Sequence, residues 1–202
     1  MKRPAKKPGV MLDRRAVVRA LVAGRRNLLV VAGLGSTTYD LAAAGDHPTN
    51  FYLWGAMGGA AMIGLGLALA QPKRRVLVVT GDGEMLMGLG GLATIGVQQP
   101  KNLAIVVIDN ERYAETGLQA THTAYGFDLA AVAAAAKFPA VRTVRDRREL
   151  RDLLPLLRRG PGPVFAAIKV APDRPPFVLP ARDGVFLKNR FRAAILGRAA
   201  AN

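Results

Sequence analysis

Short apolar runs rich in β-branched residues alternate with helical stretches along most of this 202-residue chain. Such runs are typical of parallel strands that helices cover on both faces. Strands are expected at 28–32, 76–80, 103–109, 140–144 and 164–170. Helices are expected at about 13–23, 37–43, 57–70, 84–97, 128–137 and 146–158. This alternation predicts an α/β fold, a doubly wound parallel sheet with helices on both faces.

Composition divides the chain into three segments. Residues 1–27 form a basic N-terminal segment with the first helix, and residues 28–170 form the α/β domain. Residues 171–202 begin with a proline-rich arm, which is expected to be extended because proline does not continue a helix, and end in a short basic helix at 183–197. Such an arm either wraps a neighbouring subunit or remains a loosely held terminus.

The chain contains no cysteine, which excludes disulfides, thiolate zinc sites and iron–sulfur clusters as carriers of function. A chain without cysteine is compatible with the cytoplasm, where we expect this protein. The basic start is not expected to be a signal peptide, because Asp13, Arg14 and Arg15 follow before any apolar segment can form.

The formal net charge of +15 raises the possibility of nucleic-acid binding. The basic clusters lack interleaved aromatic residues and any known reading motif. A solvated surface, an acidic partner subunit or anionic ligands explain the charge at least as well, and we expect no nucleic acid among the partners. The clustered residues are Lys2, Arg3, Lys6, Lys7, those within 142–159, Lys188, Arg190, Arg192 and Arg198.

Residues 51–70 carry no charge and form a stretch long enough to span a bilayer. Five glycines interrupt the stretch, and a strand is expected soon after it. A glycine-rich helix buried between the sheet and a partner chain explains these features better than a membrane span.

A Gly-Asp-Gly sequence at 81–83 stands between a predicted strand and a predicted helix. The carboxyl end of a parallel strand faces the ligand crevice of an open α/β sheet. Glycines allow the backbone to turn and to approach a ligand, and free amides at Gly83 and Glu84 can bind phosphate oxygens. Without further support, the sequence is equally compatible with a turn that binds nothing.

The next predicted strand supports a ligand site, because it ends with Asp109 and Asn110. Asp82 and Asn110 are therefore expected at neighbouring strand ends. Mg²⁺ prefers oxygen ligands in octahedral geometry and commonly shares them with phosphates. A carboxylate, an amide oxygen, a backbone carbonyl and a diphosphate would fill most of that shell.

Three segments together resemble the diphosphate-binding domain of thiamine-diphosphate-dependent 2-oxoacid decarboxylases. Within that family, the sequence is similar to the small subunits of sulfopyruvate decarboxylase and to the matching domain of phosphonopyruvate decarboxylase. The resemblance extends from about residue 28 to 137, and less distinctly to 170. The segments are WGAMGGAAMIGLGLALA, GDGEMLMGLGGLATIG and NLAIVVIDNERYAETG, and the ending KNRFRAAILG is also similar.

The resemblance implies that Asp82, the Asn110 side chain and the carbonyl of Arg112 bind Mg²⁺. It also implies that the Gly55 carbonyl accepts a hydrogen bond from the cofactor's aminopyrimidine, and that Met57 holds the cofactor bent. Considered alone, Met57 would be a core methionine. The family often has Asn-Asn where this chain has Asp109–Asn110, but the first position is not a ligand.

Other residues are less strongly indicated. Gly35, Ser36 and Thr37 follow the first strand and could contact the diphosphate, as could Gly81; the alternative is that Ser36 or Thr37 caps a helix. His122 is a candidate acid–base group in a loop that can close over substrate, although an exposed histidine is the more common case. Glu115 and Thr116 precede His122 in that loop.

Thiamine enzymes require a glutamate beside the aminopyrimidine, and in this family a separate pyrimidine-binding domain supplies it. The chain is too short for that domain, so the resemblance implies a complementary subunit in a hetero-oligomer, such as a dimer of heterodimers. The expected activity is decarboxylation of a small anionic 2-oxoacid. Alternatives are a subunit of an acetolactate-synthase-like carboligase and a non-catalytic basic binding protein.

Overall fold

A computed structural model describes residues 11–197 of the chain. The basic residues expected to cluster at 2–7, and Arg198, lie outside this range. The strands are β1 Leu28–Ala32, β2 Asn50–Tyr52, β3 Arg75–Gly81, β4 Leu103–Asp109, β5 Arg112–Tyr113, β6 Gln119–Ala120, β7 Ala140–Val144 and β8 Val164–Lys169. The helices are α1 Arg14–Val22, α2 Ser36–Ala43, α3 Ala60–Ala70, α4 Asp82–Met87, α5 Gly91–Gln98, α6 Leu129–Ala135, α7 Arg147–Arg159 and α8 Gly184–Leu196.

Six strands form one parallel sheet in the order β2-β1-β3-β4-β8-β7. Apolar side chains of β3, β4 and β8 point to both faces, where two separate core clusters cover them with helices. The predicted doubly wound α/β fold is therefore confirmed. The central strands are buried along nearly their whole length, as expected of parallel strands between two helical layers.

The helix predicted at 84–97 is two helices, α4 and α5, and this part of the prediction was wrong. Gly58 and Gly88 approach so closely that a Cβ on Gly88 would lie 2.2 Å from the Gly58 carbonyl oxygen. This contact between distant segments coincides with the break after α4. The helix predicted at 57–70 begins only at Ala60, because Ala56 and Gly58 before it have positive φ.

Aspartate side chains cap four of the helices. Each one accepts a hydrogen bond from an amide of the first helical turn, which stabilises an otherwise unpaired donor. The capping residues are Asp13 for α1, Asp128 for α6, Asp146 for α7 and Asp183 for α8.

The proline-rich arm packs on the chain's own domain. Phe177 packs edge-on against Tyr39 with ring centroids 5.0 Å apart, and the Trp54 indole donates to the Ala181 carbonyl. Helix α8 then contacts β2, the edge strand that the sequence analysis missed, and Arg190 pairs with Asp46 there. The division at residues 27 and 170 stays a prediction. Within the described residues, no helix is long and apolar enough to cross a membrane.

Arg75 at the start of β3 closes the C-terminal end of α7. Its guanidinium donates to the carbonyls of Leu156, Leu157 and Gly160, and to that of Lys101. Helix C-termini leave carbonyls without partners inside the helix, and a cation there also opposes the helix dipole.

We predict that Arg75→Met lowers the free energy of unfolding by roughly 2–3 kcal/mol, because partly buried carbonyls lose charged donors. Urea unfolding followed by circular dichroism measures this. Lys73→Met is the matched control, since Lys73 is exposed and its substitution removes the same charge. Equal losses in both variants would contradict the assigned role of Arg75.

Candidate functional site

A cleft of about 520 Å³ lies at the carboxyl edge of the sheet, and we call it the cofactor cleft. It collects the ends of β1, β3 and β4 together with the loop that follows β4. Most residues selected from the sequence lie here, although they are far apart in the chain. The lining residues are Arg14, Leu34, Ser36, Thr37, Met57, Gly81, Asp82, Gly83, Glu84, Met87, Ile108, Asn110, Arg112, Tyr113, Ala114, Glu115 and Thr116.

Asp82 is the central acidic group of this cleft and is only 1% exposed. Its Oδ2 atom accepts hydrogen bonds from the Thr121 and Thr123 hydroxyls at 2.5 and 3.1 Å. The second oxygen of this carboxylate, Oδ1, accepts no hydrogen bond from any side chain among the described residues. Burial raises the pKa of Asp82 to about 6; the Asp109 carboxylate adds to this rise and the two threonines oppose it.

A second carboxylate, Asp109, lies beside Asp82 and is neutralised from the next strand. Lys169 Nζ is 2.7 Å from Asp109 Oδ2 and 2.8 Å from Glu111 Oε1. Burial opposes the charge on Lys169, yet these carboxylates raise its pKa above the ordinary value. The Thr123 hydroxyl also lies 2.8 Å from Asp109 Oδ1, so its one hydrogen is shared between the two acidic groups and joins them in one network.

Asn110 and Arg112 supply further oxygen atoms at the same edge. The Asn110 side-chain oxygen accepts the amide hydrogen of Arg112 at 3.1 Å, which fixes the turn after β4. Both residues line the cleft with Asp82. Within residues 11–197 no cluster of three acidic, histidine or cysteine side chains forms a metal site. One carboxylate with amide and carbonyl oxygens nevertheless matches the donors that Mg²⁺ takes when phosphates complete its shell.

Helix α4 begins directly at Asp82, and its first turn is tightly packed. A Cβ on Gly83 would lie 2.4 Å from the Tyr113 ring, so glycine is required for this approach. The Glu84 carboxylate turns away into the protein, where Oε2 accepts hydrogen bonds from Thr80 Oγ1 and the Leu34 amide. Burial raises the pKa of Glu84 although these bonds oppose the rise. Glu84 thereby connects the loop after β1 to α4.

The loop after β1 brings α2 to the cleft. Gly35, with φ of 72°, precedes α2, and no side chain caps that helix. The alternative that Ser36 or Thr37 caps this helix is therefore wrong. The Thr37 hydroxyl donates instead to the Gly33 carbonyl at 3.0 Å. Ser36 and Thr37 line the cleft, and Gly35 lies beside it.

The Gly55–Gly58 turn contributes Met57, which lines the cleft and is 37% exposed. A core methionine would be buried, so the packing alternative does not describe this side chain. Positive φ at Ala56 and Gly58 gives the turn its shape. Gly55 is not among the residues that line the cleft.

Only some of the candidate site residues in the loop after β4 reach the cleft. Glu115 and Thr116 line the cleft, and Glu115 Oε2 lies 3.5 Å from the Tyr39 hydroxyl. His122 lies outside the cleft; it is exposed and packs edge-on near Phe127. Sequence reasoning missed Thr121 and Thr123 on either side of it, although their alternation around an exposed residue is visible in the sequence. It also missed Lys169 and Arg14, for which no local pattern exists.

Comparison with known proteins agrees with this geometry. Residues 33–168 match the family described as thiamine pyrophosphate enzyme, C-terminal TPP binding domain. The chain is 42% identical over 163 residues to the sulfopyruvate decarboxylase subunit beta of Methanothermobacter thermautotrophicus, covering 81% of this chain and 84% of that protein. It is 38% identical over 185 residues to phosphonopyruvate decarboxylase of Streptomyces viridochromogenes, covering 89% of this chain and 45% of that protein.

The fold itself recurs in benzoylformate decarboxylase from Polynucleobacter necessarius, with a TM-score of 0.69 at 19% sequence identity. The superposition covers 88% of this chain and 36% of that one. A family match that includes β3, α4, β4 and the loops around the cofactor cleft leads to one assignment. This chain belongs to the thiamine pyrophosphate enzymes, as a C-terminal TPP-binding domain.

Proposed function

We propose that this chain is the diphosphate- and magnesium-binding subunit of a thiamine-diphosphate-dependent 2-oxoacid decarboxylase, a carboxy-lyase. The observation that carries the proposal is the single cleft in which Asp82, Asn110 and Met57 meet. The relatives named sulfopyruvate and phosphonopyruvate decarboxylase support a small 2-oxoacid with a second acidic group as the substrate.

Magnesium would be held by the Asp82 carboxylate, the Asn110 side chain and the Arg112 carbonyl. The Oδ1 atom of Asp82 has no side-chain donor, while Oδ2 is fixed by two threonines, so the carboxylate is oriented with one oxygen available. A bound divalent cation would also lower the pKa of Asp82, which burial holds near 6.

The diphosphate would lie between the first turns of α2 and α4. Gly81, Gly83 and the amide of Glu84 present backbone at the start of α4. Gly35, Ser36 and Thr37 do the same at the start of α2. Because the Thr37 hydroxyl is already used by the Gly33 carbonyl, Ser36 is the hydroxyl that remains for a ligand.

Met57 would hold the cofactor in its bent conformation. The Gly55 carbonyl would accept a hydrogen bond from the aminopyrimidine of the cofactor. Bound thiamine diphosphate supplies the electron sink that allows a 2-oxoacid to lose carbon dioxide. The chain's own contribution is to bind, orient and partly desolvate the cofactor.

The activating glutamate would come from a complementary pyrimidine-binding subunit. In this chain Thr80 and the Leu34 amide hold the Glu84 carboxylate, and Glu115 is exposed at the rim of the cleft, so neither is placed for that role. The outer surface of α3 to α5 is apolar where a partner would pack, which supports a hetero-oligomer. Its exposed residues include Met62, Leu69, Met87 and Val97.

We predict that Asp82→Asn abolishes Mg²⁺-dependent binding of thiamine diphosphate in the assembled enzyme, because it removes the charged metal ligand. Titration calorimetry with the cofactor in the presence of Mg²⁺ measures the loss. Asp152→Asn is the control for loss of a carboxylate, since Asp152 is exposed on α7 and does not line the cleft. Binding by Asp82→Asn as tight as wild type would show that the metal site is misplaced.

Met57→Ala is expected to leave cofactor affinity within about threefold and to slow hydrogen–deuterium exchange at the thiazolium C2 at least ~10-fold. The physical reason is lost positioning, since small misplacements weaken intramolecular proton transfer strongly. Proton NMR of quenched samples measures the exchange. Met11→Ala controls for loss of an exposed methionine elsewhere. An unchanged exchange rate would refute a positioning role for Met57.

The chain purified without a partner is expected to release no carbon dioxide from sulfopyruvate, phosphonopyruvate or pyruvate. General acid–base assistance is typically worth ~10²–10⁴-fold, and the separate chain lacks the group that would provide it. Carbon dioxide release is followed with saturating Mg²⁺ and thiamine diphosphate, before and after a glutamate-bearing chain is added. Turnover by the separate chain would refute the divided site.

A further inference from the structure

Arg14 is a buried cation that the proposed cofactor site does not use. It begins α1 and is only 2% exposed. Its Nε atom donates to Asp40 Oδ2 at 2.6 Å. This is its side chain's one hydrogen bond among residues 11–197, so the Nη atoms have no acceptor within those residues.

Arg14 lines two cavities at once. One is the cofactor cleft; the other, here the second cavity, has a volume of about 550 Å³ and adjoins it. The two cavities share Arg14, Ser36, Ala114 and Glu115. A charged group buried beside open space with unused donors is costly unless a ligand satisfies it.

Three guanidinium groups and three carboxylates line the second cavity: Arg14, Arg15, Arg174, Asp40, Glu115 and Asp173. Asp40 lies between Arg14 and Arg15, with Arg15 Nε 3.6 Å from Oδ1, so one carboxylate faces two guanidinium groups. Arg15 also donates to the Pro176 carbonyl. Arg174 lines the same cavity and donates to the Ala114 carbonyl at 2.9 Å. Both contacts fix the proline-rich arm over the cavity.

We propose that Arg14, oriented by Asp40, binds the distal oxyanion of the substrate, a sulfonate or phosphonate, in the second cavity. This inference rests on the proposed decarboxylase function and specifies how the site selects its substrate. A planar guanidinium can donate two parallel hydrogen bonds to a pair of oxygens on a sulfonate or phosphonate. Because Nε already donates to Asp40, the two Nη atoms are the donors for such a group.

Two other anions fit this position less well. The leaving carboxylate loses its charge during the reaction, so a cation held on it would stabilise the ground state and slow the chemistry. The cofactor's diphosphate has its proposed donors on α2 and α4 in the cofactor cleft, and of these only Ser36 also lines the second cavity. A cation on the distal group anchors the substrate without that penalty.

The main test variant is the double substitution Arg14→Gln with Asp40→Asn. Removing both members avoids an unpaired buried carboxylate, which would destabilise the fold. Arg14→Lys keeps the charge but loses the paired donor geometry. Arg19→Gln is the matched control, because Arg19 is exposed on the same helix and lines neither cavity.

The probes are sulfoacetate and phosphonoacetate, which carry the acidic groups but no keto carbon and cannot react. Their affinity for the assembled enzyme with Mg²⁺ and thiamine diphosphate is measured by calorimetry. We expect the double variant to bind them roughly 10- to 100-fold more weakly, the range for lost charged hydrogen bonds, with Arg14→Lys between the two. Cofactor affinity should stay unchanged, and the ratio of kcat/KM for sulfopyruvate to that for pyruvate should fall by a similar factor.

The outcomes separate this inference from the decarboxylase function. Wild-type enzyme that binds the probes through Arg14 but decarboxylates no 2-oxoacid would retain the anion site and refute the function. Equal probe affinities in wild type and the double variant would overturn the inference while leaving decarboxylation intact. Weaker thiamine diphosphate binding with unchanged probe binding would assign Arg14 to the diphosphate, and would also overturn it.

Discussion

The parallel register of β1, β3 and β4 is the constraint on which the site depends. Ala32 pairs with Val79 and Gly81 with Ile108, so the three strands end at one edge of the sheet. The segments that follow these three strands therefore all border the cofactor cleft. Because side chains alternate between the faces of a strand, a slip of one residue would reverse the orientation of every strand residue and separate the site from its supporting core.

Bringing strand ends together also concentrates acidic groups, and the sheet itself provides a balancing charge. Asp82 and Asp109 are both nearly inaccessible to solvent. The register of β4 with β8 places Lys169 opposite Asp109, and the two side chains form an ion pair. This pair gives the aspartate at position 109 a structural role. Asp82, which lines the cleft, has no cationic partner of its own among the described residues, and this suits a metal ligand.

Much of the fold was predictable because a continuous run of apolar residues indicates a strand that is buried on both faces. β1, β4 and β7 have the predicted bounds. β3 is one residue longer than predicted at each end, and β8 ends one residue earlier than predicted. β2 was missed because three residues are too few for periodicity to detect. The interruption between α4 and α5 depends on the distant Gly58. The site residues that directly follow strands, Asp82 and Asn110, were predictable from the expected sheet topology alone. Thr121, Thr123 and Arg14 were not, since their partners lie 26–41 residues away.

The charge-free segment 51–70 connects hydropathy to the proposed division of the site between two chains. An ordinary surface helix carries charges on its outer face. In α3 the inner face packs on the sheet so closely that a Cβ on Gly64 would lie 2.2 Å from Val78. The outer face presents Met62 and Leu69 instead of charged residues. A helix with two apolar faces satisfies hydropathy criteria for a membrane span, yet eleven residues are too short to cross a bilayer. A partner chain that covers this outer face would bury the surface beside Met57, so the same contact would exclude water from the cofactor and complete its binding site.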